Sequence, residues 1–127
     1  MSRVIYDSST LLALINNEPG SSVVEKYLSS STMSSVNVSE VVKVLLSKGM
    51  PLKSITEILS ELIVQIIPFT EKQAYLCGTL FNDTKEFGLS LGDRACIGLG
   101  LMEKAPILTA DKAWGKLKTK AEIRVIR

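Results

Sequence analysis

The sequence predicts an α/β domain: a central, mainly parallel sheet with helices on both faces. Two observations lead there. Short β-rich runs alternate with helical segments along the whole chain, the pattern of repeated strand–helix–strand units. One of those segments, "GLSLGDRACIGLGLM", has no polar side beyond its opening Asp93 and Arg94, so it belongs inside the protein rather than on its surface. The 127 residues read as a single domain, 1–127, with no internal repeat, low-complexity stretch or linker. That length is enough to bury a core.

The elements follow in order. "RVIYD" is the first strand. "SSTLLALINNEPG" gives hydroxyl residues able to cap, an apolar helix and a Pro-Gly stop. "SSVVEKYLSSS" is a short helix with Val23, Val24, Tyr27 and Leu28 on one face, and "TMSSV" is a second strand. "NVSEVVKVLLSKG" is a helix with Val38, Val41, Val42, Leu45 and Leu46 turned inward. Pro51 opens the next helix, which carries Leu52, Ile55, Ile58, Leu59 and Leu62 at helical spacing. "VQIIPF" is the third strand. A helix from Thr70 to Gly88 starts with a Thr-x-x-Gln capping box and has Ala74, Leu76, Cys77, Leu80 and Phe81 on its apolar stripe. The apolar helix runs from about Gly92 to Glu103, where Gly98 and Gly100 are expected to permit close packing. "APILTAD" is the fourth strand, "KAWGKLK" a short helix and "IRVIR" the last strand.

Composition excludes several chemistries. The chain has no His, which removes His-based metal sites, Ser-His-Asp triads and imidazole bases. Any hydrolysis must rest on carboxylates, with a hard cation as their partner. Cys77 and Cys96 lack CxxC spacing and read as reduced core thiols. No apolar run reaches membrane-span length, and the opening "MSRVIYDSS" lacks the apolar region of a signal peptide. A cytoplasmic location is the expectation. The net charge of +2 argues for no partner by itself, but Lys112, Lys116, Lys118, Lys120, Arg124 and Arg127 face only Glu122 in the tail. That tail is either a phosphate-binding edge or a solvated face.

In parallel sheets ligands gather beyond the carboxyl ends of the strands. Asp7 ends the first strand, Glu40 lies in the first turn of the helix after the second, and Asp111 follows the fourth. Asp93 begins the apolar helix and joins them only if that helix start points into the same crevice. Each acid also has a plain structural reading. Asn37-Val-Ser-Glu40 and Ser90-Leu-Gly-Asp93 both match capping boxes, and Asp7 and Asp111 fit N-caps. Consecutive helix positions point about 100° apart, so Arg94 is not expected to neutralise Asp93 directly. Two unit charges about 5 Å apart repel by roughly 3 kcal/mol at an effective dielectric of about 20. Four converging carboxylates would accumulate on the order of 10 kcal/mol, comparable with a domain's whole stability. Such a cluster must bind protons or cations, and oxygen donors alone suit Mg²⁺ or Mn²⁺.

The segments "VIYDSSTLLALINNEPG", "SSVNVSEVV", "LSLGDRACIGLGL" and "PILTADKAW" resemble, in order and over the full chain, the signature segments of PIN-domain ribonucleases, with the VapC toxins of toxin–antitoxin pairs the closest match. The resemblance implies a three-layer α/β/α fold and an acidic pocket that binds Mg²⁺ or Mn²⁺. It further implies metal-dependent endonucleolytic cleavage of RNA. It puts the catalytic and metal-binding acids at Asp7, Glu40, Asp93 and Asp111, with Ser9 and Thr109 as hydroxyls that either steady the carboxylates or act as turn residues. Arg94, Lys112 and Lys116 are the basic side chains available to an RNA backbone. Trp114 either stacks on a base or packs its short helix against the body. The resemblance also implies a VapB-like antitoxin partner and a homodimer, with Leu11, Leu12, Tyr27 and Leu28 serving either an interface or the core.

The competing class is a PIN-like scaffold that binds RNA or protein without cutting. Its mark would be a missing acid, and none is missing. Two phosphotransfer folds are disfavoured: a response-regulator receiver wants an acidic pair where this chain has Tyr6-Asp7, and a haloacid-dehalogenase-type phosphatase wants an Asp where this chain has Ser9.

Overall fold

The computed structural model describes residues 2–127. Five short strands form one sheet: β1 (Val4–Tyr6), β2 (Ser31–Ser34), β3 (Gln65–Ile67), β4 (Ile107–Thr109) and β5 (Ile123–Val125). Their order is β3-β2-β1-β4-β5 and every pairing is parallel. The chain works outward from β1 to β3, then returns to lay β4 on the other side of β1. The order therefore reverses between β1 and β4, and the carboxyl ends of these two strands flank the crevice where such sheets bind ligands.

The helices are α1 (Ser8–Ile15), α2 (Ser21–Lys26), α3 (Ser35–Ser47), α4 (Leu52–Leu62), α5 (Glu71–Thr79), α6 (Phe81–Thr84) and α7 (Leu91–Glu103). Strand side chains alternate between faces, so each face of the sheet receives its own core. Val4, Tyr6, Met33 and Leu108 meet Leu11, Val24, Val41, Leu45, Ile55 and Leu59 of α1 to α4 on one side. Ile5 and Ile107 meet Cys96, Ile97 and Leu99 of α7, together with Trp114, on the other. β1, β2 and β4 are buried at every position, as a covered parallel sheet requires. The three-layer α/β/α arrangement is thus observed.

α7 is enclosed as its composition demands: Gly92 and the run Ala95 to Gly100 are all buried. Gly98 faces the Cys77 thiol of α5, where a Cβ would lie 3.0 Å from the sulfur. At Gly100 a Cβ would overlap the Ile107 side chain on β4. The two glycines give up helix propensity to let α7 approach a helix on one side and the sheet on the other.

Several expectations of detail are corrected. β2 starts at Ser31 and stops at Ser34, whose hydroxyl caps α3, so Ser35 is already helical. The core stripe of α3 is Asn37, Val41 and Leu45, four residues apart, which leaves Leu46 outside the packed arc and 47% exposed. Pro51 is the N-cap of α4 rather than its first residue, and Leu52 beside it is exposed. The single helix expected from Thr70 to Gly88 breaks into α5, α6 and a 3-10 turn, just past the weak helix formers Gly78 and Thr79. Ala74 and Phe81 are exposed there. The short helix after Asp111 is a 3-10 segment, Lys112–Lys116. Leu11 is fully buried, and Leu12, Tyr27 and Leu28 pack against the same core. Among the described residues no helix is long and apolar enough to cross a membrane.

Candidate active site

Asp7 leaves β1 and becomes the N-cap of α1, accepting the Thr10 N–H at 2.9 Å. It is 5% exposed. Besides the Thr10 hydroxyl, which donates to Oδ1 at 3.1 Å, two hydroxyls donate to its carboxylate: Ser9 to Oδ1 at 2.6 Å and Thr109, on the neighbouring strand β4, to Oδ2 at 2.9 Å. Each hydroxyl also accepts a backbone N–H from the loop beyond β4, Ser9 from Ala110 at 3.0 Å and Thr109 from Asp111 at 3.0 Å. Ser9 and Thr109 therefore fasten Asp7 to the segment that carries Asp111. Burial drives the Asp7 carboxyl above its usual range, and these donors pull it partly back.

Glu40 projects from α3 and is half-buried. Its Oε1 accepts from Ser8 Oγ at 2.5 Å and from Asn37 Nδ2 at 2.9 Å. The same Asn37 amide donates to the carbonyl of Gly92 at 3.0 Å and so ties α3 to the first turn of α7. Asn37 is inside α3 and 1% exposed; it is not an N-cap, and the expected Asn37–Glu40 capping box is replaced by this bridge. Its Oδ1 is buried without a partner. Gly92 lies against Glu40 so closely that a Cβ would overlap the carboxylate.

Asp93 and Asp111 occupy two further sides. Asp93 completes the expected capping box with Ser90: Ser90 N–H donates to Asp93 Oδ2 at 3.0 Å and Asp93 N–H to Ser90 Oγ at 3.2 Å. Burial raises the Asp93 carboxyl, the Ser90 bonds lower it, and the charges of Glu40 and Asp111 raise it again. Asp111 is exposed and caps the 3-10 segment through the Ala113 N–H at 3.0 Å. The four acids thus descend from exposed Asp111 to buried Asp7. Beneath them the Cys96 thiol is pushed well up by burial and then by Asp7, Asp93 and Glu40. Both Cys77 and Cys96 are buried free thiols.

All four acids are hydrogen-bonded, and none is left idle. Even so, among the described residues no three Asp, Glu or Cys groups stand in an arrangement ready to hold a metal ion. The donor set nevertheless fits a hard divalent cation. It is all oxygen, its members repel one another, and Glu40, Asp93 and Asp111 each keep one carboxylate oxygen free of hydrogen bonds among the described residues. Gly92 leaves free the space that the Glu40 carboxylate occupies.

The basic residues separate. Arg94, expected at an RNA backbone, is turned away from the acids: its Nη1 donates to the Cys77 carbonyl at 3.1 Å and its guanidinium lies 5.9 Å from the Phe81 ring centre. Lys112 and Lys116 are exposed directly after Asp111. In the tail, Arg124 pairs with Glu122 at 2.5 Å and Arg127 with Glu18 at 2.9 Å, whereas the four lysines form no ion pair among the described residues. Trp114 is 1% exposed and packs against the sheet, which excludes base stacking.

Ser8, Asn37 and Gly92 were missed as site residues from sequence. Ser8 sat in a hydroxyl run read as generic capping. Asn37, three residues before Glu40, had the spacing of a helical side-chain pair as well as that of a cap. Gly92 carried no signal beyond adjoining Asp93.

A buried acid at the switch point of a parallel sheet, with Asp93 and Asp111 at neighbouring helix starts and Glu40 in the second turn of α3 rather than the expected first, defines a class of all-oxygen acidic pockets. The chain belongs to the PIN domain family, whose pattern it matches over residues 4–120. No curated protein sequence matches it. Solved structures share its fold. VapBC2 from Rickettsia felis, bound to a DNA fragment from its promoter, superposes with a TM-score of 0.73 at 19% identity over 96% of this chain and 97% of that one. DNA-bound VapBC from Salmonella typhimurium gives 0.74 at 11% identity over 100% of both. VapC20 from Mycobacterium tuberculosis, a sarcin-ricin loop cleaving toxin, gives 0.70 at 12% identity over 90% and 95%.

Proposed function

We propose that the chain is a metal-dependent endoribonuclease and the toxin of a toxin–antitoxin pair. The observation that carries this is geometric: Ser9 and Thr109 tie buried Asp7 to the segment that bears Asp111, and Asn37 ties Glu40 to Gly92 beside Asp93, which gathers like charges that favour a cation. Its similarity to VapC20, a sarcin-ricin loop cleaving toxin, supports the same reading.

Asp7, Glu40, Asp93 and Asp111 would hold the Mg²⁺ or Mn²⁺. When bound, the cation supplies positive charge against the phosphoryl oxygens and acidifies an attacking water. Asp7, held from four directions by Ser9, Thr10, Thr109 and its own strand, is the rigid base of the site. Ser8 and Asn37 aim Glu40, and Glu40 or Asp111 orients the water and takes its proton. Lys112 and Lys116, exposed beside Asp111, hold the RNA backbone. The VapBC neighbours support a VapB-like antitoxin as partner; a homodimer and a cytoplasmic location are part of the same proposal.

One observation favours the non-catalytic scaffold: Asp93 is engaged as a cap. Purified protein incubated with total RNA separates the two readings. Cleavage with Mg²⁺ or Mn²⁺ that stops with EDTA and in Asp93→Asn is the enzyme's result. Intact RNA at millimolar metal, with no metal-dependent rise in melting temperature, is the scaffold's.

A further inference from the structure

A second feature lies further along α7 and includes none of the four acids. A cavity of about 410 Å³ opens between α6 and the segment that follows Lys116, with α7 as its floor. Ile97 and Leu101 form the floor, and Leu80 and Leu117 the walls. Lys118 and Lys120 stand on one lip and Asp83 on the other.

Its position along α7 gives it meaning. Asp93, Ile97 and Leu101 are four residues apart, so they follow one side of the helix. At a rise of 1.5 Å per residue, Ile97 lies about 6 Å and Leu101 about 12 Å down the axis from Asp93. The cavity therefore begins about one helical turn from the proposed reaction centre. Its lysine lip continues the line Asp111, Lys112, Lys116 along the chain, and none of these lysines forms an ion pair among the described residues.

We infer that this cavity is a nucleobase subsite for single-stranded RNA; the inference rests on the ribonuclease reading above. A base flanking the scissile phosphate enters between Leu80 and Leu117 and lies on Ile97 and Leu101. Its backbone runs along the Lys118–Lys120 lip, because Asp83 repels phosphate from the opposite one. The lining fits an occupant with apolar faces and anionic charge on one side only. A nucleotide has that distribution. The subsite holds a base beside the cut without touching the acids.

Binding tests this separately from cleavage. The probe is a fluorescent mixed-sequence single-stranded oligoribonucleotide, titrated with the full chain in EDTA and read by anisotropy. Lys118→Glu/Lys120→Glu should weaken binding at least about tenfold and reduce the salt slope by about 2. Leu101→Trp, which fills the floor, should weaken it about tenfold with the salt slope unchanged. Thr119→Tyr, on the more accessible lip, fills the same space should Leu101→Trp melt early. A set of probes carrying one abasic position each should show one position that costs parent affinity and costs the filled variants nothing. Parental affinity in both filled variants, or an abasic penalty equal in parent and variants, overturns the subsite and leaves the cavity to a peptide or to solvent. Absence of cleavage by the parent with Mg²⁺ or Mn²⁺, with these binding effects intact, would sink the ribonuclease reading and leave the cavity as a base-binding site.

Discussion

Gly92 and Glu40, fifty-two positions apart, touch: no side chain fits at residue 92 without displacing the Glu40 carboxylate. The atoms in the way are the end of a flexible side chain, so the fold can yield cheaply while the site cannot. Gly92→Ala is expected to cost less than about 2 kcal/mol of stability. The same change should lower RNA cleavage about 10- to 100-fold, the scale of a displacement near 1 Å. Melting curves and cleavage rates on one preparation check both. Undiminished cleavage would mean that Glu40 has no fixed place in the chemistry.

Asn37 holds that contact from the other side. One amide reaches both Glu40 and the Gly92 carbonyl. Asn37→Ala removes a buried donor to a charged acceptor and should destabilise by about 1–3 kcal/mol. Asn37→Asp keeps the shape but sets a carboxylate against Glu40, so it should destabilise more than Ala does at pH 7. Chemical denaturation gives the order. The reverse order would contradict the bridge.

Asp93 provides a pH test. Burial first, and the neighbouring Glu40 and Asp111 charges after it, place its carboxyl above the ordinary range in the folded protein. The folded state then binds this proton more tightly than the unfolded chain. Its contribution is complete below the unfolded Asp value of about 4 and is lost as pH rises through the raised folded value. Asp93→Asn retains an acceptor for the Ser90 N–H without the charge. In EDTA it should melt about 2–5 °C above the parent at pH 7, with the gap closing as pH falls toward 4. A variant no more stable than the parent at pH 7 would deny the repulsion.

Trp114 is the only tryptophan and is 1% exposed. Its fluorescence should be blue-shifted and unchanged by saturating oligoribonucleotide. Quenching by RNA would put a base where the structure puts the sheet.

Much of the fold was legible because it rests on patterns that survive in one dimension. Strand–helix alternation gave the parallel sheet, and the enclosed α7 was evident from a segment with no polar face. Turn-level detail was lost where one residue type serves two ends. Ser34, not Asn37, caps α3, since both are good caps and only the register of β2 decides between them. Arg94 read as a free cation because the Cys77 carbonyl and Phe81 ring that engage it arrive from two other helices, α5 and α6. The four acids could be picked out in the sequence as candidates, but the groups that hydrogen-bond Glu40 could not. Ser8 and Asn37 become site residues only through Glu40, thirty-two positions away from one and a helical turn from the other.

The central claim is that Asp7 and Asp93 belong to one cation-binding pocket, although the side chains are not set around an ion. Isothermal titration of the full chain with Mn²⁺ measures this directly. Saturable binding is expected, falling at least about tenfold in both Asp7→Asn and Asp93→Asn, with Glu57→Gln, on α4, binding as the parent does. No Mn²⁺ uptake at millimolar concentration, or equal uptake by all four proteins, would contradict it.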